Sequence, residues 1–144
     1  MNAEQTLARL RQFLLATAAV MYLGTVVELI ALGHFKEPLQ WIPFGLCALG
    51  LVVTGLAWRS PQRQVLLGVR WIALVITLGS LFGIYEHLEN NFSFYREIHA
   101  NATALELLTH TLGGASPLLA PGTLALAAIL AVAATYEDRI LNAQ

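Results

Sequence analysis

Five side chains stand out for the chemistry they could do: Glu28, Glu86, His87, Glu106 and His110. Neutral imidazole and carboxylate are the ordinary ligands of Zn, Fe, Mn and Cu. The same two groups also take up and release protons, imidazole near neutral pH. These groups are concentrated in the chain. Between Gly79 and His110 lie three of the four histidines, His87, His99 and His110, and four of the nine acids, Glu86, Glu89, Glu97 and Glu106. Glu86-His87-x-Glu89 sets carboxylate beside imidazole. Glu106 and His110 are four residues apart, so on a helix their side chains converge. His99 lies about three turns before His110, too far along a straight helix to share an ion with it. Neither HExxH nor the paired ExxH of di-iron bundles is present. The spacing predicts an outward-facing Glu/His cluster for a divalent metal (Zn, Fe, Mn or Cu) or for protons, without choosing between them.

Glu28 extends that cluster. It lies in an apolar run, about 7 Å below the helix end marked by Gly33. A carboxylate there must be protonated, paired or turned to a hydrated interior. Gly24 shares its face one turn earlier, and Gly79, Gly83 and Glu86 or His87 share a face of the third helix. The expectation is that the first and third helices meet near their outer ends, with Glu28 close to Glu86 and His87. The competing reading is a purely structural hydrogen bond, for example from Glu28 to the Tyr85 hydroxyl or to a histidine. For His99, a solvated polar face is the favoured reading.

The elements that position these groups follow from composition. The 144 residues are 57% hydrophobic and 12% charged, about half the charge of a soluble domain. Long apolar runs of this kind indicate an all-α, polytopic membrane protein. Four spans are expected as one domain, at about 13–33, 41–58, 65–87 and 117–136. An amphipathic helix at about 95–112 is expected between the third and fourth, on the outer side. Its apolar side is Ile98, Leu105, Leu108 and Leu112; His99, Glu106 and His110 lie opposite. Asn90-Asn91 reads as the end of the third helix, Gly113-Gly114 as a stop, and Ser116-Pro117 as the start of the fourth. Arg70 is placed to reach back to the interface. The positively charged flank before Phe13 also fits a signal peptide, but the apolar run is longer than the usual one, so a retained first helix is expected.

Charge orients the bundle. Arg9, Arg11, Arg59, Arg63, Arg70 and Arg139 fall on one side, and Lys36 and Arg96 on the other. That asymmetry places both termini in the cytoplasm, as in a bacterial inner-membrane protein. Glu28, Glu37, Glu86, Glu89, Glu97, Glu106 and every histidine then fall in or near the outer half; Glu4, Glu137 and Asp138 are inside.

Several chemistries are excluded. The single cysteine, Cys47, leaves no intramolecular disulfide and no CxxC site. The net charge of −1 and the lack of a basic block argue against nucleic acid. Ser80, Ser93 and Ser116 have no base at a recognised spacing. Asn91-Phe92-Ser93 and Asn101-Ala102-Thr103 match the glycosylation sequon.

The leading expectation is an accessory factor or subunit of a larger membrane system rather than a self-sufficient enzyme. Its partners would be the lipid bilayer and a protein partner or second copy. The alternatives are a structural subunit with a polar docking cap, and a small membrane enzyme or carrier acting on a lipid, quinone or ion. A pocket between helices at the outer leaflet would favour the last. The topology has a direct test: cysteines introduced as Asn2→Cys and Asn101→Cys should label from opposite sides of oriented vesicles. Labelling from the same side would overturn the four-span map.

Overall fold

The computed structural model describes residues 2–136 and Leu141. Glu137, Asp138 and Arg139, which entered the charge argument, lie outside the described residues. The helices are α1 (Ala3–Ala31), α2 (Ile42–Arg59), α3 (Arg63–Ile98), α4 (Ala104–Leu112) and α5 (Leu119–Ala133). A short 3-10 helix, Pro38–Trp41, leads into α2. Three helical stretches are long and apolar enough to cross a membrane: α1, the 3-10 helix with α2, and α3. The fourth apolar helix, α5, has 15 residues and is shorter than a span.

Local chemistry sets the helix ends. Asn2 and Gln5 cap the start of α1 reciprocally, each side chain bonding the other's backbone N–H. At the other end Gly33 takes φ 63°, the His34 N–H donates to the Leu29 carbonyl, and the Gly33 N–H donates to the Ile30 carbonyl. This is a Schellman turn, and only glycine accepts its left-handed conformation without strain. It folds His34 back over the helix end.

The four long helices stand in a square. α1 packs against α2 and α5, and α3 packs against the same two. α1 and α3 are diagonal and do not pack on one another. The expected meeting of the first and third helices is therefore corrected. Gly79 instead admits Leu46 of α2, and Gly83 faces Pro121 of α5.

Two polar clamps hold α3 to the chain on either side of α5. At one end Arg70 donates from Nε to the Thr135 hydroxyl and from Nη2 to the Thr135 carbonyl, both at 3.0 Å. Its positive charge sits at the carbonyl end of α5, where the helix dipole favours it. Arg11 joins it by donating to the Tyr136 carbonyl. At the other end Asn91, 4% exposed, donates to the carbonyls of Thr111 and Ser116 and accepts from the Ser116 N–H. With Gly83 beside Pro121 between the clamps, α5 runs antiparallel to α3 in continuous register.

The Asn91 clamp explains three departures from the sequence reading. The third helix does not end at Asn90-Asn91. The Asn91 amide is taken up by the α4–α5 connection, and the helix continues to Ile98, 36 residues or about 54 Å in all. The helix expected over 95–112 is two pieces, because the chain breaks at His99–Thr103 and α4 begins afresh behind a Thr103 cap. Ser116 does not cap α5; its backbone belongs to Asn91, and α5 begins at Leu119. Asn91 is also too buried to carry a glycan, which removes one of the two sequons. The Gly113-Gly114 stop stands where expected, and Gly114 is needed there: a Cβ would come within 2.5 Å of Asn91 Cγ.

The interior is rich in small residues, Ala18, Ala73, Ala127, Ala128, Ala131, Gly50, Thr54 and Ser80 among them, set between a few large ones such as Val69, Ile76 and Leu124. Many large aliphatics and all three tryptophans, Trp41, Trp58 and Trp71, face outward. Small interior residues let helix backbones approach closely, the usual basis of packing where the surroundings are themselves apolar. One large ring, Tyr22, is 1% exposed and sits over Gly50.

A Cβ at Gly50 would lie 2.5 Å from Tyr22 Cζ, whereas one at Gly55 on the outer face of α2 meets nothing within 4 Å. Gly50→Ala should therefore destabilise by about 1–3 kcal/mol through overpacking. Gly55→Ala should be neutral or stabilise by about 0.5–1 kcal/mol through helix propensity. Thermal unfolding in detergent checks the pair. Equal effects would contradict the Tyr22–Gly50 contact.

Candidate functional site

The clamps define an arginine end and a histidine end of the bundle. At the histidine end the diagonal gap between α1 and α3 is open and holds a cavity of about 270 Å³. All four long helices contribute to it, together with the loop carrying His34, Glu37 and Gln40. Its walls are apolar, including Leu29, Ile42, Pro43, Phe82, Gly83 and Pro121. Deeper along α1 and α3 are the hydroxyls of Thr25 and Ser80, and toward the helix ends come Glu86, His87 and Asn90.

The loop is tied in place. The Gln40 side-chain oxygen accepts from the backbone N–H groups of Lys36, at 2.8 Å, and Glu37. Pro38 starts the 3-10 helix and Pro43 lies in the first turn of α2, positions where a missing N–H costs nothing. The Schellman turn at Gly33 and this loop together bring the His34 ring to 6.1 Å from the His87 ring, centroid to centroid. Two half-buried imidazoles thus share the cavity rim, with the Glu86 carboxylate beside His87.

The floor is polar but incompletely satisfied. Ser80, 1% exposed, donates to the Ile76 carbonyl at 2.8 Å and keeps its acceptor lone pairs. The Thr25 hydroxyl, 2% exposed, has no hydrogen-bond partner. A buried orphan hydroxyl costs about 1–3 kcal/mol. Thr54, deeper in the bundle, carries a second such hydroxyl.

The five residues singled out in the sequence do not converge. Glu86 and His87 line the cavity. Glu28 is half-buried on α1 and outside the cavity lining, and its helix does not pack on α3. Glu106 and His110 belong to α4, beyond the cavity. Among the described residues no three His, Cys, Asp or Glu side chains form a group able to hold a metal ion.

The α4 residues make a separate cluster. The break at His99–Thr103 turns α4 back along α3, so Tyr95 is stacked by His99 at 4.3 Å and by His110 at 4.0 Å. Two rings so close to one ring must occupy its opposite faces. The straight-helix argument that kept His99 away from His110 fails because the helix is broken between them. Glu106 is occupied as a cap: its Oε2 accepts from the Thr103 N–H and hydroxyl, both at 2.8 Å. Those backbone and side-chain bonds, then the nearby His110 and His99, hold its carboxyl below the usual carboxylate range.

The sequence reading missed His34, Thr25 and Ser80. His34 had a signal: it directly follows Gly33, and a helix-ending glycine folds the next residue back over the helix. Thr25 had a weaker one, since it lies four residues before Leu29 on the face that points inward. No family model, curated protein or solved structure matches the chain.

The Glu106 cap has a definite pH sign. A carboxyl whose folded value is lowered stabilises fully above its unfolded value, near about 4.3, and loses that contribution as pH falls through the folded value. Amide exchange in the first turn of α4, corrected for intrinsic rates, should therefore be protected at about pH 6 and lose protection toward about pH 3. Glu106→Gln keeps the cap geometry and should abolish the pH dependence. An unchanged pH profile in that variant would dismiss the cap.

Proposed function

We propose that this chain is a four-span membrane protein that binds one small amphiphilic molecule in the cavity at its histidine end. The arginine end faces the cytoplasm, with both termini, and the cavity opens toward the periplasmic side. The Arg/Lys asymmetry supports that orientation. The α3–α5 packing supports the fourth span, since the chain from Ser116 to Thr135 is held to α3 at Asn91 and at Arg70 although its regular helix is short.

The observation that carries the functional reading is the cavity itself, with apolar walls, hydroxyls below and two imidazoles at the rim. Ligand sites are typically concave and mostly apolar, with a few polar groups that fix orientation. The cavity's volume, about 270 Å³, falls just short of the usual range of about 300–1,000 Å³. It suits a compact head or a short-chain molecule rather than a whole phospholipid. His34, His87 and Glu86 would hold the polar end and exchange protons with it. This favours the carrier or small membrane enzyme over the metal-binding subunit, whose ligand set finds no converging group among the described residues.

Native mass spectrometry from nanodiscs, titrated with decanoate, decanol and menadione, tests this. One saturable equivalent of at least one probe is expected. Ala120→Phe, which fills the cavity from α5, should abolish it, and His87→Leu should weaken it about tenfold in a protein that still migrates as the parent. No saturable binding of any probe, or binding indifferent to both substitutions, would sink the reading.

A further inference from the structure

We infer that the cavity opens sideways into the outer leaflet, through an apolar window between α2 and α3. It takes a single-chain amphiphile whose head lies inside while its chain stays in the bilayer. The inference rests on the proposed membrane-spanning, ligand-binding reading and adds the route of entry and the ligand class.

The lining is sealed on one side and not on the other. On the side of α1 and α5, Leu29, Ala120, Pro121 and Leu124 line the cavity and all are buried. On the other side, Leu39, Ile42 and Phe82 also line it, yet they are 47%, 45% and 45% exposed. They come from the 3-10 helix, the start of α2, and α3. A side chain that touches both the cavity and the surroundings marks where the wall ends. All three are apolar, unlike the rim formed by His34, Glu37, Glu86 and Asn90.

The seam between α2 and α3 shows where the gap begins. Leu46 of α2, 8% exposed, fills the place over Gly79, with its Cδ1 2.6 Å from where a Cβ would stand. One turn nearer the histidine end, Leu46 gives way to Ile42, and Gly79 to Phe82 and Gly83. Gly83 has no side chain to offer α2 and faces Pro121 of α5 instead. The seam is closed at Leu46 and Gly79 and open at Ile42 and Phe82.

The depth fits the outer leaflet. Trp41, 58% exposed, stands immediately before Ile42, and exposed tryptophans gather at the membrane boundary. Phe82 lies four residues before Glu86 on α3, about 6 Å of helix rise deeper. The window therefore falls below the polar boundary, where the surroundings are hydrocarbon. A cavity of about 270 Å³ then limits the head but not the chain. The head meets His34 and His87 at the rim, and the chain leaves between Ile42 and Phe82.

The test compares decanol with octadecanol, which share a head and differ only in chain length. In nanodiscs, with affinity referred to mole fraction in the bilayer, the two should agree within about threefold, because the extra methylenes stay in hydrocarbon throughout. A closed cavity would disfavour octadecanol by about tenfold or more, the cost of even two methylenes losing their apolar surroundings. The double substitution Ile42→Trp, Phe82→Trp fills the window and should lower the octadecanol-to-decanol affinity ratio about tenfold. Val27→Trp, on the exposed face of α1 and outside the lining, should leave that ratio at the parent value. The comparison on the parent protein stands even where the double variant does not fold. Octadecanol excluded while decanol binds would overturn this inference and leave the cavity reading intact. A ratio unmoved by the double substitution, in a protein that migrates as the parent, would do the same, as would binding of menadione alone. Failure of every probe to bind would remove both.

Discussion

Close approach of helix backbones is the constraint on which this structure depends. Its outer face is Leu, Val, Ile and Trp, so in hydrocarbon surroundings there is little to gain by burying more of the same. What holds the bundle is contact at short range. Much of the interior is therefore assigned to Ala, Gly, Ser and Thr, interleaved with Val69, Ile76, Leu124 and a few leucines, while most of the large residues lie outside. Tyr22 is the largest side chain fully buried, and its ring is accommodated where Gly50 has no side chain.

Small-residue packing sets distance well but register poorly, since one alanine row slides easily over another. The two polar clamps supply the register. Arg70 and Asn91 hold α3 to the chain on either side of α5, and each satisfies a carbonyl that a helix end leaves unpaired, Thr135 just after α5 and Thr111 in the last turn of α4. Such bonds are costly to break where they are buried, because the freed groups are left unpaired. With register fixed at both ends, Gly83 meets Pro121 and the open diagonal falls at the histidine end.

The cavity follows from this geometry. A square of helices leaves a diagonal unfilled unless large side chains enter it. At the level of Tyr22 the ring fills the centre. One turn and more toward the histidine end, α1 offers Thr25 and α3 offers Gly79, Ser80 and Gly83, which are too small to do so. Histidine and glutamate at the rim then meet the boundary where a polar end of a ligand would sit.

Sequence alone determined the helical class, the apolar runs and the stretch, Gly79 to His110, where the titratable groups gather, because these depend on composition and on short-range period. It also marked Gly33 and Gly113 as stops, and at Gly33 the reason is local, a left-handed conformation that glycine alone takes without strain. Which helices touch was not legible. Glu28 and His87 looked like partners because each lies near a helix end on the same side, but α1 and α3 are diagonal, and that arrangement depends on how four surfaces pack at once. His99 and His110 looked separate because a straight helix keeps them apart. The Asn91 clamp, between residues 20 and 25 positions distant in the chain, turns α4 back and sets them on either side of Tyr95. The cavity belongs wholly to the tertiary level, since it is a space left between elements and no single stretch of sequence encodes it.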